Sequence, residues 1–382
     1  MIYFDHASTS YPKPKEVVTE ISAYLEKIGV SPGRGAYTAQ ELAANYVDQV
    51  RIQIADLFHI QDHSHIVFTS NATHSLNIVL KGFLKENDHV LACSYSHNSV
   101  IRPLEQLRRQ KNIQYDFFHV DPQGHTDVDE IKKLLRPNSV LAVFNHASNV
   151  LGVRSQFEEL LPLLTERKVA TLLDIAQTAG IIPVHAKDLG LDFIAGTGHK
   201  TLLGPSGIGF LYLKNPDAVS TLIEGGSGGN ASSSLIQPEI MPAKFEAGTL
   251  NYMGIAGLSG ALTAALQFSF EKILQHGLAI TEYAWNKLSC LPGMRLYGTA
   301  NIEQKIPVIS FCVPHILPSV LAQILDKKFH IAVRAGLQCA SVCHKQVGTY
   351  PAGTVRISFG HTNTFEEVDF FIDAVTQIMK QN

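Results

Sequence analysis

Several things are missing from this chain of 382 residues, and each absence narrows what it can be. No run approaches the roughly 18 consecutive apolar residues of a membrane helix. The small-residue stretch at 254–266 is too short for one and too rich in glycine. The opening MIYFDHASTS has neither a cationic leader nor an apolar core, so no secretory signal is expected. Cysteine is scarce: five residues, an odd number with a single close pair, do not make a disulfide framework. These absences point to a soluble cytoplasmic protein with no membrane partner. Basic charge is not in surplus either. Lys and Arg number 31 against 34 Asp and Glu, a formal net charge of -3, so no basic patch of the kind nucleic acid attracts is expected. Neither G-x-G-x-x-G after an early strand nor G-x-x-x-x-G-K-[ST] occurs, which leaves a nucleotide-binding reading without a phosphate loop. The Gly-rich EGGSGGN at 224–230 then reads as a loop near a functional site. No internal repeat or low-complexity linker interrupts the chain.

What is present is an alternation of short apolar, β-branched runs with helical stretches. Candidate strands are HIVFTS (65–70), HVLACS (89–94), IQYDFFHV (113–120), VLAVFNH (140–146), ATLLDIA (170–176), FIAGT (193–197) and IGFLYL (208–213). Helical segments such as 98–110, 127–136 and 156–167 lie between them, the arrangement of a helix-covered parallel sheet. Beyond about residue 250 the texture changes. A long small-residue helix covers 253–275, and strands follow near 308–313, 331–335 and 354–359. A final helix at 364–380 opens with Thr364 as cap and with Glu366 and Glu367 in its first turn. The expected architecture is α/β. A large domain over 14–252 carries a mostly parallel sheet, and a small α+β domain spans 253–382, with residues 1–13 packing near the latter.

Ligands of such sheets gather beyond the carboxyl ends of the strands, and the marked residues fall there. Asp174 and Gln177 lie at the end of ATLLDIA; Thr197, His199 and Lys200 lie at the end of FIAGT. A lysine able to form an imine and an aspartate able to pair with a pyridinium nitrogen are what pyridoxal 5′-phosphate (PLP) requires. That ion pair keeps the ring nitrogen protonated, so the ring can accept carbanion electrons. For an isolated pair, two residues capping neighbouring strands are the plainer reading. Thr73 and Asn77 sit in the first turns of a helix, where exposed N–H groups and the helix dipole make an anion site. Thr73 is otherwise an ordinary cap. His97, past HVLACS, could stack on an aromatic ring or be one loop histidine among 17. Asn149, in NHASNVLG, could hydrogen-bond a cofactor hydroxyl or serve only as a turn residue.

In chain order, DHASTSYPKP, SPGRGAY, FTSNATHSLN, SHNSVIRPL, NHASNVLG, LLDIAQ, TGHKTLLGPSGIG, FEAGTLN, RAGLQCAS and GTVRISFGHTNT resemble segments of class V aminotransferase-type PLP enzymes. The sequence is most similar to the cysteine desulfurases and their selenocysteine lyase relatives. The resemblance implies the fold type I architecture of PLP-dependent transferases. It implies that Lys200 holds the cofactor covalently, that Asp174 pairs with its ring nitrogen and that His97 stacks on its ring. Gln177 and Asn149 would contact the phenolic oxygen, and Thr73, Thr197 and His199 would hold the phosphate. Thr249, in FEAGTLN, would reach the phosphate of the partner subunit, which implies a homodimer with two shared sites. Cys339, in RAGLQCAS, stands where desulfurases keep their nucleophile. Arg356, in VRIS, stands where they grip the substrate carboxylate, with Asn149 beside it. The activity so implied converts L-cysteine to L-alanine, leaves a persulfide on Cys339 and passes the sulfur to an acceptor protein. L-selenocysteine is a second substrate of the same kind.

Only a thiolate serves as this nucleophile, and Arg334 and His344 are candidates to favour it. A planar guanidinium suits a carboxylate. A buried structural thiol and a surface ion pair are the alternatives for Cys339 and Arg356. Other chemistries of the same scaffold (C–S lyase, aminotransferase or epimerase) would leave Cys339 incidental. No metal is expected, because Cys343 and His344 beside Cys339 fall short of the usual four zinc ligands. Cys343 could instead be a resolving thiol. The chain departs from the family pattern at His74, Ser96 and Tyr37, where an acidic residue, a glutamate and a histidine are usual.

Overall fold

The computed structural model describes residues 1–33, 37–228 and 233–381. Arg34, Gly35 and Ala36 of SPGRGAY, and Gly229 and Asn230 of the Gly-rich loop, lie outside the described residues. A short strand, β1 (Ile2–Tyr3), opens the chain. The main sheet follows with β2 (Ile66–Thr69), β3 (His89–Cys93), β4 (Gln114–Phe118), β5 (Ser139–Asn145), β6 (Ala170–Asp174), β7 (Phe193–Thr197) and β8 (Gly209–Leu213). These are the seven runs expected from the sequence, in the order β2-β8-β7-β6-β5-β3-β4. Every pairing is parallel except those of β8, which runs antiparallel to both β2 and β7. The reversal has a simple cause: no helix lies between β7 and β8, and a parallel return needs a crossover. The central strands are buried on both faces, which is why they read as continuous apolar runs.

The carboxy-terminal part carries β9 (Arg295–Tyr297), β10 (Val308–Cys312), β11 (Ile331–Ala332), β12 (Arg334–Gly336) and β13 (Thr354–Ser358). Four of them form an antiparallel sheet, β12-β13-β10-β9, and β11 pairs in parallel with β1. The chain's first residues are therefore part of this core. Phe4 is fully buried there, its ring edge-on to Phe359 and Phe371 at centroid distances of 5.0 and 5.8 Å. At the final helix, Phe365–Gln381, Glu367 N–H donates to Thr364 Oγ1 (3.3 Å) while Thr364 N–H donates to the Glu367 carboxylate (3.2 Å). This reciprocal pair satisfies two donors that a helix start leaves open.

The single helix expected over 253–275 is two helices. Tyr252–Phe268 and Phe270–Ser289 meet at a 74° bend at Ser269, which has a left-handed φ of 67°. Apolar residues run through the bend, so periodicity alone carries the pattern across it. The first helix packs Ile255, Leu258, Leu262 and Ala265 into the large core, and the second sends Ile280, Ala284 and Leu288 into the small one. The change of core falls within the second helix, because Phe270, Ile273 and Leu274 still pack in the large core. The small residues serve close approach: a Cβ on Gly260 would lie 2.3 Å from the Glu16 carbonyl oxygen of the helix Lys15–Lys27. Among the described residues no single helix is long and apolar enough to cross a membrane. Phe4→Ala is expected to cost about 3–5 kcal/mol in denaturant unfolding. An amino terminus that merely drapes over the surface would lose less than about 1 kcal/mol.

Candidate active site

The carboxyl ends of β5, β6 and β7 border a half-open cleft. Thr73, His97, Asn149, Asp174, Gln177, Thr197, His199 and Lys200 all line it. Asp174 ends β6 in register with Ala195 of β7, which brings the aspartate and the lysine after β7 to one cleft. The Asp174 carboxylate is buried and accepts one hydrogen bond, from Ala176 N–H at 2.9 Å. Burial raises its pKa; that bond and the Lys200 charge oppose the rise. For Lys200, burial dominates and lowers the ammonium from 10.5 to about 8, against the opposing pull of Asp174. Arg356, Cys339 and Asp5 also lie within electrostatic reach of this amine. A desolvated carboxylate with one donor and a neutralisable amine suit a cationic ring nitrogen and a reactive carbonyl carbon.

His97 caps the helix Asn98–Lys111, its Nδ1 accepting from Ser99 N–H at 3.1 Å. Burial, then Lys200, Arg102 and Arg356, lower its pKa to about 4. The ring is neutral at physiological pH, with its proton on Nε2. Thr197 Oγ1, His199 Nδ1 and Asn149 Oδ1 are buried at the same cleft without a hydrogen-bond partner among the described residues. Unpaired buried polar atoms are costly, and three around one cleft mark where a polar ligand belongs. The helix Ala72–Phe83 starts at this point, with Thr73 in its exposed first turn, so free N–H groups reinforce an anion-binding end. The donor set, the acid and the amine fit PLP.

Cys339 is exposed on a short loop between β12 and the helix Ser341–Gln346. Gln338 and Cys339 both have left-handed φ, 40° and 57°, which non-glycine residues adopt only under constraint. The constraint is visible. Asn98 N–H donates to the Cys339 carbonyl and Asn149 Nδ2 to the Gln338 carbonyl, both at 2.7 Å. Gln338 Nε2 donates to the Thr354 carbonyl at 2.9 Å, and His344 Nε2 donates to Gln338 Oε1 at 2.8 Å. His344 is fully buried, both its nitrogens are engaged, and burial lowers its pKa to about 4. It is neutral and braces Gln338, so the expectation that it favours a thiolate by charge does not hold. Arg334 is exposed on β12. Cys343 is buried and its thiol is pushed up to about 12 by burial, which makes it a poor resolving partner.

Arg356, buried in β13, donates through Nη2 to Asp5 Oδ1 (2.7 Å) and Ser8 Oγ (2.8 Å) and through Nη1 to the Asn149 carbonyl (3.0 Å). Gln177 Nε2 donates to the Ala7 carbonyl at 2.9 Å, and Lys13 Nζ to the His199 carbonyl at 2.8 Å. Sequence reasoning did not anticipate this clasp of Asp5, Ala7, Ser8 and Lys13 around the site. Its signal was the polar motif DHASTSYPKP itself. Thr249 is exposed and does not line the cleft of its own chain. Of the departures from the family pattern, His74 Nδ1 accepts from Ser70 N–H at 3.3 Å, Ser96 is buried with its hydroxyl unpaired, and Tyr37 is exposed.

The Aminotransferase class-V family profile matches residues 2–371. The chain belongs to the class-V aminotransferase family. Over all of its length it is 31% identical to a probable cysteine desulfurase of Pyrococcus abyssi and covers 94% of that protein. It matches the apo structure of a cysteine desulfurase from Thermococcus onnurineus with a TM-score of 0.91 and 31% identity, over 100% of this chain and 95% of the other. The Escherichia coli cysteine desulfurase CsdA, in an S-sulfonic acid form, matches at 0.88 and 25% identity, over 99% and 94%. Members of this family have the fold type I architecture and use PLP, and the cleft of this member is built for it.

The desolvation of Lys200 has a direct readout. In cofactor-free protein, competitive acetylation followed by mass spectrometry should give Lys200 a half-point near pH 8. A half-point near the ordinary 10.5 would contradict the burial argument.

Proposed function

We propose that this protein is a PLP-dependent cysteine desulfurase that converts L-cysteine to L-alanine and takes the sulfur onto Cys339. The observation that carries this reading is the exposed Cys339 thiol. It sits on a loop that is strained yet anchored to Asn98 and Asn149 at the cofactor cleft. A merely structural cysteine would be buried, as Cys93 and Cys343 are. An incidental cysteine, as in C–S lyase or aminotransferase chemistry, needs no such restraint.

PLP, when bound, supplies an electron sink for bond breaking at the substrate α-carbon. The residues of the chain do the rest. Asp174 would pair with the positive charge of the ring nitrogen, and the neutral His97 ring would contact the cofactor ring. Thr73, Thr197 and His199 would hold the phosphate, and Gln177 and Asn149 the phenolic oxygen. Lys200, with an amine that is substantially neutral near pH 8, binds the cofactor and moves the α-proton. Arg356 receives the substrate carboxylate. The Cys339 thiolate attacks the substrate sulfur: the S–S bond forms as the Cβ–S bond breaks, and a proton completes alanine at carbon. The products are alanine and a Cys339 persulfide, which exposure leaves open to an acceptor protein. L-selenocysteine offers the same leaving geometry and is retained as a second substrate.

A second copy of the chain belongs to this reading. Thr249 is exposed and needs a partner's cleft to meet a phosphate. Leu235, Ile236 and Ile240 are 105%, 76% and 64% exposed, three large apolar side chains that a monomer would leave in water. All five cysteines are free, in keeping with a reducing cytoplasm.

Supplied with L-cysteine and a reductant, PLP-loaded protein should release alanine and sulfide in equal amounts. Cys339→Ala should lose both by at least about 100-fold while keeping the cofactor's absorbance. Pyruvate, or a rate indifferent to the substitution, would contradict desulfurase chemistry. In sedimentation the wild type should run as a dimer, and Leu235→Asp with Ile236→Asp should shift it toward the 41.9 kDa chain with weaker PLP binding. A monomeric wild type with full PLP affinity would contradict the shared site.

A further inference from the structure

The backbone from Phe4 to Ala7 is zipped onto β13. Ser358 N–H donates to the Phe4 carbonyl and Ala7 N–H to Ser358 Oγ, both at 2.8 Å, and Asp5 bridges Ser358 in parallel. This register sets the Asp5 side chain beside Arg356, one position further back on the same face of the strand. The carboxylate accepts from Arg356 Nη2 at 2.7 Å, with the two side chains only 15% and 3% exposed. Ser8 Oγ completes the grip: it accepts from the same Nη2 and donates to Asp5 Oδ1, each at 2.8 Å. The Asn149 carbonyl holds Nη1. Arg356 Nε is buried with no hydrogen-bond partner among the described residues. Directly across the ladder from Arg356 stands Arg334, a like charge that by itself would push the guanidinium away.

A guanidinium recognises a carboxylate well only when its plane is fixed, because the paired donors are rigid. Here the plane is fixed from the side of the amino-terminal segment, and an unused donor remains. We propose that Asp5 is a positioning residue for substrate recognition, orienting Arg356 so that its unpaired Nε–H meets the α-carboxylate of an amino-acid substrate. The inference rests on the reading of Arg356 as the carboxylate-binding group. The competing role for Asp5 has the opposite sign. If it only neutralised Arg356, its removal would strengthen the hold on a second carboxylate.

The test uses PLP-loaded protein carrying Cys339→Ala, so that no sulfur transfer intervenes, with L-cysteine and L-alanine titrated by cofactor absorbance. Asp5→Ala should raise the dissociation constants of both amino acids at least about tenfold, whereas Asp5→Asn, which keeps the acceptor oxygen, should stay within about threefold of the parent. With Cys339 restored, Asp5→Ala should raise KM for L-cysteine and leave kcat within about threefold. Ser8→Ala keeps the charge and removes one acceptor, so it should weaken binding about threefold even if Asp5→Ala proves unstable. Unchanged or tighter binding in Asp5→Ala, equal impairment in Asp5→Asn, or unchanged binding in Ser8→Ala overturns the proposal. Failure of the wild type to make alanine would sink only the desulfurase reading, because any α-amino acid presents the same carboxylate to Arg356.

Discussion

An amine and a carboxylate stripped of most of their water make up the constraint on which the site depends. Asp174 and Lys200 close two neighbouring strands, and the cleft around them desolvates both. Burial drives the lysine toward its neutral form and the aspartate toward its protonated one, while each charge restrains the other. Such a pair is poorly satisfied on its own. A ligand with a protonatable ring nitrogen and a carbonyl carbon relieves it, and the unpaired hydroxyl, imidazole and amide groups of Thr197, His199 and Asn149 stand where its remaining polar atoms would sit. The doubly buried sheet supplies the rigidity that holds these groups apart from one another and around a common volume.

The groups that act on the substrate come from elsewhere in the chain. Arg356 belongs to the small carboxy-terminal sheet and Cys339 to the loop that follows its strand β12, and the amino-terminal residues fasten that sheet to the cofactor cleft. One strap, from Phe4 to Lys13, therefore touches the small-domain core, Arg356, Gln177 and the loop before Lys200. The strap and the Asn149 contacts tie Arg356 and the Cys339 loop to the cofactor cleft.

Much of this was legible in the sequence. The seven strands of the main sheet are seven apolar runs, and the cleft residues sit just past their ends because a parallel sheet opens there. What escaped were features set by long-range packing. Nothing local in IGFLYL tells which way β8 runs; the direction follows from the missing crossover. Ser269 bends a helix inside an uninterrupted apolar pattern, so periodicity alone does not reveal the break. His344 looks like a charged helper to a thiolate when only its distance along the chain is known, yet full burial leaves it neutral and engaged with Gln338. The same burial disarms Cys343. Asp5 was invisible as a partner of Arg356 because a separation of most of the chain lies between them.

The central claim is that Cys339 receives the substrate sulfur. Wild-type protein loaded with PLP should be given L-cysteine without reductant or acceptor, quenched, digested and weighed by mass spectrometry. The account predicts that the peptide carrying Cys339 gains one sulfur atom, removable by a thiol, while the peptides of Cys93, Cys290 and Cys312 do not. Alanine formed with no added sulfur on Cys339 would contradict it.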